Sequence, residues 1–129
     1  MTVSELPEEL RRFIQSNVPT YVAAELLLFL AQHPDKQWTP DEIVNEIKPS
    51  VITFSAVKEY LALFVAQGLV VEIPGARYQY QTASPEVKAA VNALAKAYNE
   101  RPVTLIRTIY DLAKSKIQSF ADAFKLKKD

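Results

Sequence analysis

The segment TYVAAELLLFLAQ, residues 20–32, constrains this chain more than any other. Its apolar residues do not keep to one stripe of a helix; from Tyr21 to Ala31 only Glu25 interrupts them. A helix that is hydrophobic on nearly every side has to be surrounded. Lipid is a poor candidate, because the run is about half of the roughly 20 residues that a bilayer span needs. Other parts of the chain are therefore expected to close around this helix, with Thr20 as its N-cap.

The rest of the chain has the means to do so. With 129 residues it has the size of one ordinary domain plus an additional helical element. Hydrophobic residues make up 49%, enough for a real core. Only two residues are Gly, so tight hairpins and phosphate-cradling loops are few and a mainly helical fold is expected. The absence of Cys excludes disulfides, thiolate metal sites and a thiol nucleophile. The opening MTVSELPEEL is acidic and lacks the apolar stretch of a secretory signal, so the expected location is the cytoplasm, with no membrane segment.

Start and stop signals divide the chain. PEELRRFIQS (7–16) reads as a short amphipathic helix, with Leu10, Phe13 and Ile14 on one face. After HPDKQW (33–38), read as a loop, Thr39-Pro40-Asp41-Glu42 is a capping box with Pro at the first helical position. That helix runs to about Lys48, with Ile43, Val44 and Ile47 facing inward. Thr53 caps the next one, which runs to about Gln67 with Val57, Leu61, Phe64 and Val65 inward. Gly68 suits the left-handed residue that closes a helix. LVVEI (69–73) and ARYQY (76–80) alternate around Pro74-Gly75 and read as a two-stranded hairpin. Ser84-Pro85-Glu86 opens a helix to about Tyr98, with Val87, Val91, Leu94 and Tyr98 on one stripe.

The last helix starts near Pro102. Val103, Ile106, Tyr110, Ala113, Ile117, Phe120 and Phe124 are spaced 3, 4, 3, 4, 3, 4, a heptad seam suited to packing along a partner helix. A homodimer through Val103, Ile106, Tyr110, Ile117, Phe120 and Phe124 is expected. The competing reading packs this seam on Leu10, Phe13 and the 20–32 helix of the same chain. Ser119 with Asp122 offers a restart, and so a kink.

The helix at 39–48, the turn at 49–52, the helix at 53–67 and the exit GLVVE resemble the winged helix-turn-helix transcription regulators of bacteria. Val57, Leu61 and Phe64 followed by Gly68-Leu69-Val70 carry the resemblance, which covers residues 20–81. The ending FADAFKLKKD resembles the tail of a group of small bacterial winged-helix proteins without an assigned role. The resemblance implies a mainly α fold with a two-stranded wing, in three parts: an N-terminal helical extension (1–19), the winged-helix module (20–81) and a C-terminal helical region for dimerisation (82–129). It implies DNA as partner, with the second helix of the motif in the major groove. By position, Thr53, Phe54, Ser55, Lys58, Glu59 and Ala62 then face the bases, and Arg77 on the wing meets phosphate or the minor groove.

Charge pulls the other way. Residues 20–81 hold four bases (Lys36, Lys48, Lys58, Arg77) against seven acids (Glu25, Asp35, Asp41, Glu42, Glu46, Glu59, Glu72), a net −3. Phosphate neutralisation supplies most non-specific DNA affinity, and base readout favours Arg, Lys, Asn and Gln. The reading helix offers one of these, Lys58. Residues 1–50 are net −4 and residues 82–129 net +4. A second function class therefore stands beside the first: a winged helix used as a protein–protein adaptor, with Phe54 exposed at the contact. The Leu-Lys-Lys tail suits the negative end of a helix.

Chemistry has little to work with. His33 is the only imidazole and sits before a Pro in a loop, as a surface residue. Glu8-Glu9 and Asp41-Glu42 lie where helix starts favour negative charge, and adjacent residues point apart on a helix. No P-loop, dinucleotide turn or metal-ligand cluster is present. No enzyme activity, cofactor or metal is expected. A ligand pocket between the 20–32 helix and the C-terminal helices has no polar signature in the sequence.

Overall fold

A computed structural model describes residues 6–47, 52–82 and 84–127, with side chains as far as residue 114. The chain is mainly helical, with a winged-helix arrangement and one small antiparallel sheet. In order, the elements are α1 (Glu8–Asn17), α2 (Tyr21–Ala31), α3 (Pro40–Glu46), α4 (Phe54–Ala66), β1 (Val70–Ile73), β2 (Arg77–Tyr80), α5 (Pro85–Glu100) and α6 (Pro102–Lys127).

Local chemistry sets the boundaries. Thr20 Oγ1 accepts from Ala23 N at 3.0 Å and opens α2. At α3 the capping box is complete: Glu42 N donates to Thr39 Oγ1 at 3.2 Å and Thr39 N donates to Glu42 Oε1 at 2.9 Å. Helix α3 ends at Glu46, short of Lys48, because Ile47 is already extended. Helix α5 runs past Tyr98 to Glu100. It stops there because Arg101 precedes Pro102, whose ring disfavours helical geometry in the residue before it. The same Pro starts α6, a single helical run of 26 residues that continues through Ser119.

Helix α2 lies at the centre. Ala23, Ala24, Leu26, Leu27, Leu28 and Leu30 are all buried, over more than half of the helix circumference, and Tyr21, Val22, Glu25 and Phe29 along the remaining side are half-buried. Helices α4 and α5 and strand β2 pack against it. The surrounding core takes Ile14 from α1, Ile43 from α3, Phe64 from α4, Leu94 from α5 and Leu105 from α6. Residues from all three expected segments thus join one core.

The single charge on α2 is answered from α5. Tyr98 Oη donates to Glu25 Oε2 at 2.8 Å, and the Tyr98 ring stacks on Tyr21 with centroids 5.5 Å apart. The α2–α5 contact therefore does carry a polar pair, which the sequence pattern did not disclose. Burial raises the Tyr98 phenol well above its ordinary pKa, and its hydrogen bond to the Glu25 carboxylate adds to the effect. A second cross-link joins α2 to α4, where Thr20 Oγ1 and Tyr60 Oη lie 2.8 Å apart.

Helix α6 packs on α1 and α5. Its inward stripe is Leu105 and Ile109, both buried, with Leu112 half-buried. The heptad seam faces elsewhere: Val103 is 65% exposed, Ile106 46% and Tyr110 66%. The segment TLIRTIYDL carries two apolar stripes one residue out of phase, and the chain uses the one that the seam leaves out. Among the described residues, no single helix is long and apolar enough to cross a membrane.

Two outcomes are expected. Leu105→Ala should cost about 2–5 kcal/mol in urea unfolding, whereas Ile106→Ala should stay within about 1 kcal/mol; equal costs would contradict this phase for α6. Because Tyr98 stays neutral in the folded chain past the pH where an unfolded tyrosine ionises, near 10, its contribution is complete below pH 10 and is lost as pH rises. Stability should fall above pH 10, and Tyr98→Phe should make that fall shallower in pH-dependent melting.

Candidate nucleic-acid interface

Helix α4 has two faces of opposite character. Val57, Leu61 and Phe64 are sealed in the core, with exposures of 0%, 1% and 0%. Thr53 caps the first turn, accepting from Ala56 N at 3.0 Å. On the outer side Thr53, Phe54, Ser55, Lys58, Glu59 and Ala62 are all exposed. The expected groove-facing set is therefore one continuous surface patch. Phe54 is 45% exposed, and Lys58 Nζ lies 5.4 Å from its ring centroid. That separation is within cation–π reach, so the ammonium and the ring form one feature.

A Schellman closure joins this helix to the wing. Gly68, at φ +77°, lets its own N–H reach Val65 O and the Leu69 N–H reach Phe64 O at 2.9 Å. Leu69 enters the core and the chain runs straight into β1. The strands pair in the register Val70↔Tyr80, Val71↔Gln79, Glu72↔Tyr78 and Ile73↔Arg77. The three-residue tip holds Gly75 and Ala76 at positive φ. Tyr78 sits opposite Glu72. Burial, and then the neighbouring Glu72 carboxylate, raise its phenol above the usual pKa.

The wing has a third participant that the loop reading of residues 33–38 missed. Trp38 forms a β-bridge with Tyr78: Trp38 N donates to Tyr78 O at 2.8 Å, and Tyr78 N donates to Trp38 O at 2.7 Å. Gln79 Nε2 reaches Pro34 O at 2.8 Å. The Trp38 ring is 3% exposed and packs on Phe29 with centroids 4.8 Å apart. His33 is exposed and stands edge-on to both rings. One aromatic residue in a polar stretch carries no strand periodicity, so a single bridging pair leaves no trace in sequence.

This bridge changes the surroundings of Arg77. It is exposed at the start of β2, and lines an open depression of about 620 Å³ with residues 32–37, among them Lys36. None of the α4 patch lines that depression. The expected DNA-facing residues thus fall into two places, an α4 face and a wing-side hollow. Of the expected dimer residues, Val103, Ile106 and Tyr110 share one exposed side of α6. The side chains of Ile117, Phe120 and Phe124 lie outside the described residues.

Elsewhere, a groove of about 610 Å³ runs between α1 and α5, floored by Leu10, Phe13, Val87 and Ala90. Among the described residues no three His, Asp or Glu side chains gather as a metal site. Comparison with protein-family models, curated proteins and solved structures gives no match.

Proposed function

We propose that the chain is a dimeric winged-helix DNA-binding transcriptional regulator of the cytoplasm. The observation that carries this reading is the outer face of α4. Six side chains between Thr53 and Ala62 are exposed along this face while the opposite face is locked into the core. A helix held by its back, with its first turns presented outward, is the geometry that a major groove of about 12 Å admits. The exposed wing beside it supplies Arg77 for the backbone.

Dimerisation through α6 is supported by the exposure of Val103, Ile106 and Tyr110. They repeat every three and four residues, yet stay outside the core of their own chain. At 1.5 Å per residue α6 is about 39 Å long, sufficient for a paired helix. The pairing would also bring the basic C-terminal thirds of two chains together, adding cations that the module lacks.

A second reading is favoured by the exposed Phe54: an adaptor that presents α4 to a protein partner. A large exposed aromatic side chain, here at the first turn of α4, is a common anchor in protein contacts.

A mobility-shift titration against genomic fragments at low salt separates the two. Under the leading reading the chain binds, and joint Lys58→Glu and Arg77→Glu substitution weakens binding more than tenfold. No retardation at low salt sinks it. Should Phe54→Asp remove a co-purifying protein while the charge reversals do nothing, the adaptor reading prevails.

For the dimer, sedimentation equilibrium should return twice the mass of 14.5 kDa. Ile106→Asp with Tyr110→Asp should return the single-chain mass while the helical circular-dichroism signal is kept, because both side chains lie outside the core of their own chain. A wild-type chain that stays monomeric at about 100 µM rules out the dimer, since even a weak one would form there.

A further inference from the structure

The hollow beside the wing brings together residues that are distant in sequence and alike in chemistry. Among the described residues of 20–82 there are three bases, Lys36, Lys58 and Arg77. Two of them, Lys36 and Arg77, line this one depression, together with Gln32, His33, Asp35 and Gln37. No described carboxylate lies within ion-pairing distance of either cation. Lys36 Nζ instead rests 4.2 Å from the Trp38 ring centroid. Trp38 is itself clamped to β2 by two backbone hydrogen bonds, and the loop is fastened again by Gln79 Nε2 on Pro34 O. The backbone segments that carry Lys36 and Arg77 are thus tied together, by the Trp38–Tyr78 bridge and by Gln79 on Pro34.

We propose that this depression is a phosphate-binding seat, with Lys36 and Arg77 as its two cations and Gln37 and His33 at its rim. A guanidinium fork and an ammonium suit a tetrahedral oxyanion that accepts several hydrogen bonds. The amides of Gln32 and Gln37 add neutral donors, and Asp35 is the one carboxylate in the lining. The hollow is open to solvent, so it fits a phosphate group presented by a larger molecule better than a ligand that must be enclosed. In its nucleic-acid form the proposal rests on the DNA-binding reading above. It places the main backbone anchor on the wing and the 32–37 loop, away from α4. A free phosphate or phosphate monoester is the other source of the same chemistry.

Trp38 is the only Trp and is buried under Lys36, so its emission and its indole N–H resonance report on the seat. The full chain is titrated with a 20-base-pair duplex. Separately, it is titrated with sodium phosphate against sodium chloride of equal ionic strength. The same titrations are run on Lys36→Gln/Arg77→Gln. The expected result is a Trp38 response to duplex that the double variant loses. The slope of log affinity against log salt should fall by about 1.8, which is roughly a 60-fold weakening at 0.1 M salt. A response to phosphate but not to duplex keeps the seat for a free phosphate ligand and removes the DNA-binding reading. Duplex binding that moves α4 resonances, leaves Trp38 unmoved and keeps its salt slope in the double variant overturns the seat while DNA binding stands. Silence towards both probes overturns both.

Discussion

Everything in this fold is arranged around a helix in which no residue is fully exposed to water. Helix α2 buries six residues over more than half of its circumference, so no single neighbour can cover it. Helices α4 and α5 and the wing strand β2 each take a sector. The arrangement has one polar cost. Glu25 sits half-buried among these apolar side chains, and a carboxylate taken from water without hydrogen bonds is expensive. Tyr98 supplies a donor from α5 and stacks its ring on Tyr21. The docking of α5 is therefore set by a directional contact as well as by non-directional burial. Tyr60 with Thr20 adds a similar directional contact between α4 and α2.

The excess of acid in the winged module changes meaning once its carboxylates are located. Glu42 closes the α3 capping box, Glu25 receives the Tyr98 hydroxyl and Glu72 faces Tyr78 across the hairpin. These acids are occupied with structure. Net charge is a long-range quantity, and salt at physiological strength screens it over about 8 Å. An approaching anion meets local groups at contact distance. What matters there is that Lys36 and Arg77 line one depression although 41 positions separate them.

How far the sequence could be read follows from the range of the interactions involved. The caps at Thr20, Thr39, Thr53 and Ser84 were legible because a hydroxyl and an amide three residues later belong to one short stretch. The Gly68 closure and the hairpin were legible for the same reason. So was the inward face of α4, since the spacing of Val57, Leu61 and Phe64 is a local property. Trp38 carries no local strand signal because its strand partner is Tyr78, forty residues away. The Glu25–Tyr98 pair spans 73 positions and was equally hidden. Helix α6 was illegible in another way: its sequence supports two apolar stripes, and only packing against α1 and α5 selects Leu105 and Ile109 for the inside. Of the candidate site, the outward direction of the α4 face was readable from phase, while its assignment to a groove comes only from the winged-helix resemblance. The companions of Arg77 were not readable, because the Trp38 bridge creates them.

The central place of α2 also bears on how the chain is made. Helix α2 is complete at residue 31, but one of its covering helices, α5, begins only at residue 85. At synthesis rates of about 5–20 residues per second, roughly 3–10 s pass before that cover exists. For that interval an uncovered Leu-rich helix stands beside an unfinished chain. Helix α1, which packs on α5 and α6, waits as well. Helix α1 meets α6 only after residue 102 has been passed, so this contact forms late. A truncation that removes α5 and α6 would therefore leave α2 with one flank permanently open, and such a fragment belongs to the aggregation-prone species that newly made chains pass through.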